Sequence, residues 1–96
     1  MATKKKNSYV LTDSEQVDEI SKRLKRANGQ LGAVIRMLEE GRNCDEIVTQ
    51  MAAVTKAVNT AAFSLISANL RQCMEQDRSD SELISKQLQK LFTTLV

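Results

Sequence analysis

The chain has 96 residues, 42% of them hydrophobic but only 3% aromatic, with a net charge of +2, two Cys and no Pro, His or Trp. One domain is expected at this length, and a core built almost without aromatics is thin material for a lone globule, so assembly with further copies is expected. The lack of histidine excludes Ser-His-Asp and Cys-His catalysis, HExxH zinc sites and cysteine-histidine zinc fingers, and two cysteines cannot make a four-thiolate site within one chain.

In chain order, residues 1–12 read as a basic tail carrying Lys4, Lys5 and Lys6, and residues 13–96 as a single helical domain. No apolar leader follows the basic stretch, and no segment is expected to have the length and purity of a membrane span, so the chain reads as cytoplasmic. In a reducing compartment two cysteines favour a soft-metal or redox role over a structural disulfide. Residues 1–42 hold nine Lys and Arg against six acids, and the remainder five against six. Contact with a polyanion is therefore expected from the first half.

The apolar spacing predicts three helices and no strands. The first begins near Thr12, whose hydroxyl and Glu15 form a capping-box pattern, and ends at Gly41. Between them Val17, Ile20, Leu24, Ala27, Leu31, Val34 and Leu38 recur at steps of three and four, a heptad seam. A second helix, with Asn43 as its cap and Glu46 as the box partner, carries Ile47, Met51, Val54, Val58, Ala61, Leu65 and Ala68 on one stripe. Val48, Ala52, Ala62 and Ile66 form a neighbouring stripe. Two stripes exceed what one antiparallel partner needs, so this helix is expected to pack against both its hairpin mate and another subunit. The pattern breaks from Asp77 to Ser81. Ser79 with Glu82 then starts a short third helix whose apolar face is Leu83, Ile84, Leu88, Leu91, Phe92 and Leu95.

Cys44 and Cys73 are 29 positions apart, and 29 steps of about 100° return almost to the starting azimuth. Along the axis they are about 43 Å apart, so they cannot meet within one straight helix. Only a second copy running antiparallel brings Cys44 of one chain beside Cys73 of the other, with two equivalent sites in a two-fold dimer. Cys44, in the first helical turn and near Arg42, is the expected nucleophile, although Asp45 and Glu46 oppose thiolate formation. Cys73, near the negative end of the helix with only Arg71 to help, is the resolving partner. The same two thiols also suit Cu(I), but the position one turn before Cys73 is Asn69, a poor soft-metal donor. Lys22, Arg23, Lys25 and Arg26 lie away from the seam and suit phosphate backbones, without helix-turn-helix spacing. A ligand-free helical adaptor, with buried inert cysteines and a solvated basic face, accounts for the same pattern.

Four runs match a known family: Arg23 to Gly32, Met37 to Cys44, Ile47 to Val54, and Asn69 to Cys73. In this order they resemble the CsoR/RcnR family of small all-helical bacterial repressors, over roughly residues 20–95. The resemblance implies a tetramer, a dimer of antiparallel dimers, that binds operator DNA without a conventional recognition helix and releases it when an inducer is sensed between subunits. Copper sensors of the family carry Cys, His and Cys; here Cys44 and Cys73 match the cysteines and Asn69 replaces the histidine. Nickel sensors need histidines that this chain lacks. The pattern looks like the persulfide-sensing, CstR-like branch, in which low-molecular-weight persulfides or polysulfides link the two thiols through one or more sulfur atoms and DNA is released. Arg23 matches a family basic position, while another falls on Thr60, with Lys56 one turn earlier. The expected order is a persulfide-responsive repressor with no cofactor, then a Cu(I)-responsive repressor on the same thiols, then a ligand-free interaction protein. No base or oxyanion-stabilising constellation supports an enzyme.

Overall fold

The computed structural model describes residues 10–76 and 78–95, without the side chains of residues 73, 76, 78–81, 83 and 84. It consists of α1 (Ser14–Glu39), α2 (Cys44–Gln76) and α3 (Arg78–Thr94), with no strand among the described residues. Lys4, Lys5 and Lys6 lie outside the described residues. The all-α, three-helix expectation holds.

α1 and α2 form an antiparallel hairpin. Ile20, near the start of α1, packs with Ala61 and Ala68 of α2, while Val34, near its end, packs with Ile47 and Val54. Ala61, only 1% exposed, lets the two backbones approach where the helices cross the middle of the hairpin. The α3 helix lies on the far side of α2, where Leu88 is buried against Ile66 and Leu70 and the Phe92 ring meets Phe63 at a centroid distance of 4.9 Å. Of the expected α3 face, Leu91 is exposed, and the side chains of Leu83 and Ile84 are outside the described set.

The expected seams are only half buried. Every seventh residue is covered: Ile20, Ala27 and Val34 on α1, and Ile47, Val54, Ala61 and Ala68 on α2. The intervening seam residues Val17, Leu24, Leu31 and Leu38 on α1, and Met51, Val58 and Leu65 on α2, are exposed, as is Val48. Two helices in contact bury one row each, and among the described residues nothing covers the second row.

The caps differ from expectation. Asp13, not Thr12, caps α1, its Oδ1 accepting from the N–H of Glu15 (3.0 Å) and Gln16 (3.4 Å). Thr12 is drawn elsewhere, to the Gln72 side chain on α2. The Gln72 Oε1 accepts from the Thr12 N–H (2.8 Å), the Thr12 hydroxyl (3.1 Å) and the Asp13 N–H (3.2 Å), and its Nε2 donates to the Val10 carbonyl (2.8 Å). One buried carboxamide thus ties residues 10–13 to the end of the hairpin. At the other end Gly41, at φ 75°, closes α1: its N–H donates to the Leu38 carbonyl and that of Arg42 to Met37, the paired bonds of a Schellman motif. The Asn43 carbonyl takes the first α2 bond from Ile47, but Glu46 completes no capping box, because its carboxylate turns to Arg42 (3.2 Å). The α3 helix starts at Arg78, just before the expected Ser79, so residues 78–81 of the expected break are helical, and Asp77 lies outside the described residues.

One expectation is corrected. Over its 29 residues Cys44–Gln72, α2 is long and apolar enough to cross a membrane by length and composition. Its apolar side chains are shared among the α1 contact, the α3 contact and the open row, and together they raise the average of a helix read above as an amphipathic one.

Replacement of Gln72 by Ala should lower unfolding free energy by about 1–3 kcal/mol, because a buried amide and its partners lose their bonds together. Urea denaturation checks this; an unchanged midpoint would mean that the tie is too exposed to matter.

Candidate sensing thiols and a basic groove

The unbroken α2 carries both cysteines, Cys44 as its first residue and Cys73 in its last turn. At about 1.5 Å per residue their backbones stand about 43 Å apart, at opposite ends of the hairpin. The structure does not bring them together within one chain. Cys44 is exposed and free; the Cys73 side chain lies outside the described residues. Arg42, expected to assist the Cys44 thiolate, is engaged instead by Glu46 at 3.2 Å and Glu40 at 4.0 Å. Both pairs are solvent-exposed, and Cys44 sits at the amino end of α2. Asn43 is exposed beside it.

At the other end of α2, Asn69 is only 3% exposed, and among the described residues neither its Oδ1 nor its Nδ2 has a hydrogen-bond partner. A buried carboxamide without partners costs about 1–3 kcal/mol. The helix places it one turn before Cys73. Gln72, adjacent to Cys73, is the clamp on residues 10–13, and Arg71 is exposed. Among the described residues, no group of three or more His, Cys, Asp or Glu is placed to hold a metal.

The basic residues divide. Arg23 and Arg26 of α1 meet Lys56 of α2 across a groove of about 330 Å³, with Gln30 and Thr60 on its walls and Ala27, Ala53 and Ala57 as its low floor. Lys22 instead pairs with Asp18 at 3.3 Å, both well exposed, and Lys25 is exposed outside the groove. Thr60 is no donor into the groove, since its hydroxyl bonds to the Lys56 carbonyl at 2.9 Å. Gln30 was not foreseen, although its place one turn after Arg26 on the same face was legible.

The groove and the open apolar row lie on opposite flanks. Groove residues Ala53, Ala57 and Thr60 fall one position before or three after the buried Val54 and Ala61, about 60–100° to one side. The exposed Met51, Val58 and Leu65 fall four after a buried position, about 40° to the other. α1 follows the same rule, with Arg23, Arg26 and Gln30 against Leu24 and Leu31.

These features define a helical module with separate cationic and apolar flanks. Residues 16–96 match the family of metal-sensitive transcriptional repressors, and the chain belongs to that family, whose members are regulators and not enzymes. It is 38% identical over 61 residues to the copper-sensing transcriptional repressor RicR of Mycobacterium tuberculosis, a match covering 64% of each chain. It is 34% identical over 61 residues to the copper-sensing transcriptional repressor CsoR of Bacillus subtilis, covering 64% of this chain and 60% of the relative. The uncharacterized protein YrkD of Bacillus subtilis is 37% identical over 46 residues, covering 48% of this chain and 73% of the relative. The chain thus spans somewhat under two thirds of the length of the first two. No solved structure matches.

Proposed function

We propose that this chain is a cytoplasmic DNA-binding transcriptional repressor that works as an antiparallel dimer, paired again into a tetramer, and releases operator DNA when Cys44 of one copy is linked to Cys73 of another. The observation that carries this reading is the unbroken α2 with an open apolar row beside it. Its two thiols can meet only between copies, and the row of Val17, Leu24, Leu31, Leu38, Met51, Val58 and Leu65 is the surface two copies would bury. Such a pairing leaves the Arg23, Arg26 and Lys56 groove facing outward for phosphates, with Lys22 and Lys25 as flanking, more solvated charges.

Reactive sulfur is the inducer that the residues favour. The Cys44 thiolate takes the sulfane sulfur of a low-molecular-weight persulfide and releases the corresponding thiolate. The Cys73 thiolate of the second copy then attacks Cys44's own sulfur, a sulfur–sulfur bond forms between the chains and hydrosulfide leaves, so the persulfide is the oxidant. A longer polysulfide leaves additional sulfur in the bridge. Asn69, buried and uncharged one turn before Cys73, offers hydrogen bonds but no soft-metal ligand. A second reading, Cu(I) held by the same two thiolates, is favoured by the two relatives named copper-sensing repressors.

The deciding experiment is non-reducing intact mass spectrometry of the reduced protein after treatment with glutathione persulfide, beside a Cu(I) competition with a chelator. A Cys44–Cys73 link between chains, lost in Cys44→Ser together with DNA release, is expected. Unmodified thiols combined with chelator-resistant Cu(I) and DNA release would replace this reading with copper sensing. On DNA, Arg23→Ala should weaken duplex binding and reduce the slope of log K against log salt by about one per contact; an unchanged slope would remove Arg23 from the interface. Leu31→Glu should dissociate the assembly in sedimentation velocity, since an unpaired charge in an apolar interface is strongly disfavoured. An assembly that survives it would place the interface elsewhere.

A further inference from the structure

The basic groove does not end at Thr60. A second depression of about 330 Å³ begins at the same Thr60 and runs along α2 past Phe63, Ser64, Ser67 and Ala68 to Arg71, with Gln16 of α1 on its opposite wall. On α2 its polar residues Thr60, Ser64, Ser67 and Arg71 follow one another at steps of four, three and four, a single stripe. They occupy the flank already identified as cationic, since Ser64 and Arg71 stand three after the buried Ala61 and Ala68, and Ser67 one before Ala68. From Lys56 to Arg71 the stripe is about 22 Å long, comparable to six or seven base pairs at 3.4 Å each.

The chemistry along it is that of phosphate contacts: hydroxyl, carboxamide and guanidinium donors over a low alanine floor. Thr49 and Thr60 turn their hydroxyls to the carbonyl one turn back, whereas among the described residues neither Ser64 nor Ser67 spends its hydroxyl in this way. Lys22 and Arg42 sit on carboxylates, while among the described residues Arg23, Arg26, Lys56 and Arg71 form no ion pair, and neither do Lys25 and Arg36. Four unpaired cations thus lie on one flank of the hairpin. The stripe ends at Arg71, which together with Gln16 also lines the next depression, where Asp13 and Glu75 make the far side unfavourable for an anion.

We propose that Gln16, Ser64, Ser67 and Arg71 form a second phosphate-contact site that continues the basic groove along α2, with duplex DNA as its ligand and Arg71 as its charged residue. This rests on the reading of the Arg23, Arg26 and Lys56 groove as the DNA face, and it assigns Arg71 to the nucleic acid where sequence reasoning had assigned it to the thiol. A mixed-sequence, fluorescein-labelled DNA duplex tests it, with anisotropy titrations at several KCl concentrations and circular dichroism of every variant. Arg71→Gln should reduce the slope of log K against log salt by about one for each protomer in contact. Arg71→Lys should restore the slope, and Ser67→Asp should weaken binding most at low salt. A normal slope in Arg71→Gln, with a reduced one in Arg23→Gln, would overturn the second site and leave the first standing. Normal slopes in both would overturn both. Should Arg71→Gln lose its helical signal, Ser67→Asp and Ser64→Asp carry the test, and wild-type affinity in these two would overturn the proposal.

Discussion

One row of small and branched apolar residues at seven-residue spacing on each long helix holds the hairpin together, and every other surface takes its place from that contact. Ile20, Ala27 and Val34 face Ile47, Val54, Ala61 and Ala68. Once those residues point inward, helical geometry assigns the rest of the azimuth: residues four later form an apolar flank, and residues three later or one earlier form a polar flank. Because the helices are antiparallel, each flank receives contributions from both. The cationic groove and the open apolar row are thus two consequences of one packing choice.

The hairpin's ends are tied by different means. At the turn, Gly41 accepts a backbone conformation that an L side chain resists, and the carbonyls of Met37 and Leu38 are satisfied without side chains. At the opposite end the Gln72 carboxamide holds residues 10–13, so the approach to α1 is set by a residue of α2 next to Cys73. Asn69, one turn away, has no hydrogen-bond partner among the described residues. Two buried carboxamides three positions apart therefore differ: that of Gln72 ties residues 10–13 to α2, and that of Asn69 has no partner among the described residues.

The distribution of charge explains why some basic residues count and others do not. Lys22 belongs to the basic run in sequence, yet its ammonium rests on Asp18, and Arg42 beside Cys44 is claimed by Glu46 and Glu40. Lys56, distant in sequence, joins Arg23 and Arg26 because the antiparallel crossing lays α2 against α1 there. A basic cluster along one helix is a matter of composition; a groove with cations on both walls requires the second helix.

Much of this protein was legible from residue spacing. Helix count, the turn at Gly41, the surplus of apolar stripes on α2 and the impossibility of Cys44 meeting Cys73 within a chain all follow from local periodicity and the rise of a helix, which neighbours cannot alter. The side on which each seam residue ends was not legible, because Ile20 and Leu24 are equally apolar and only the crossing of α1 on α2 decides which is covered. For the same reason Thr12 was expected to cap α1 by local pattern, whereas Gln72, sixty positions away, takes its hydroxyl and leaves the cap to Asp13. Local spacing determines which elements form and which faces they own; tertiary contact decides which of two equivalent polar or apolar groups is used, since that choice depends on a partner distant in sequence.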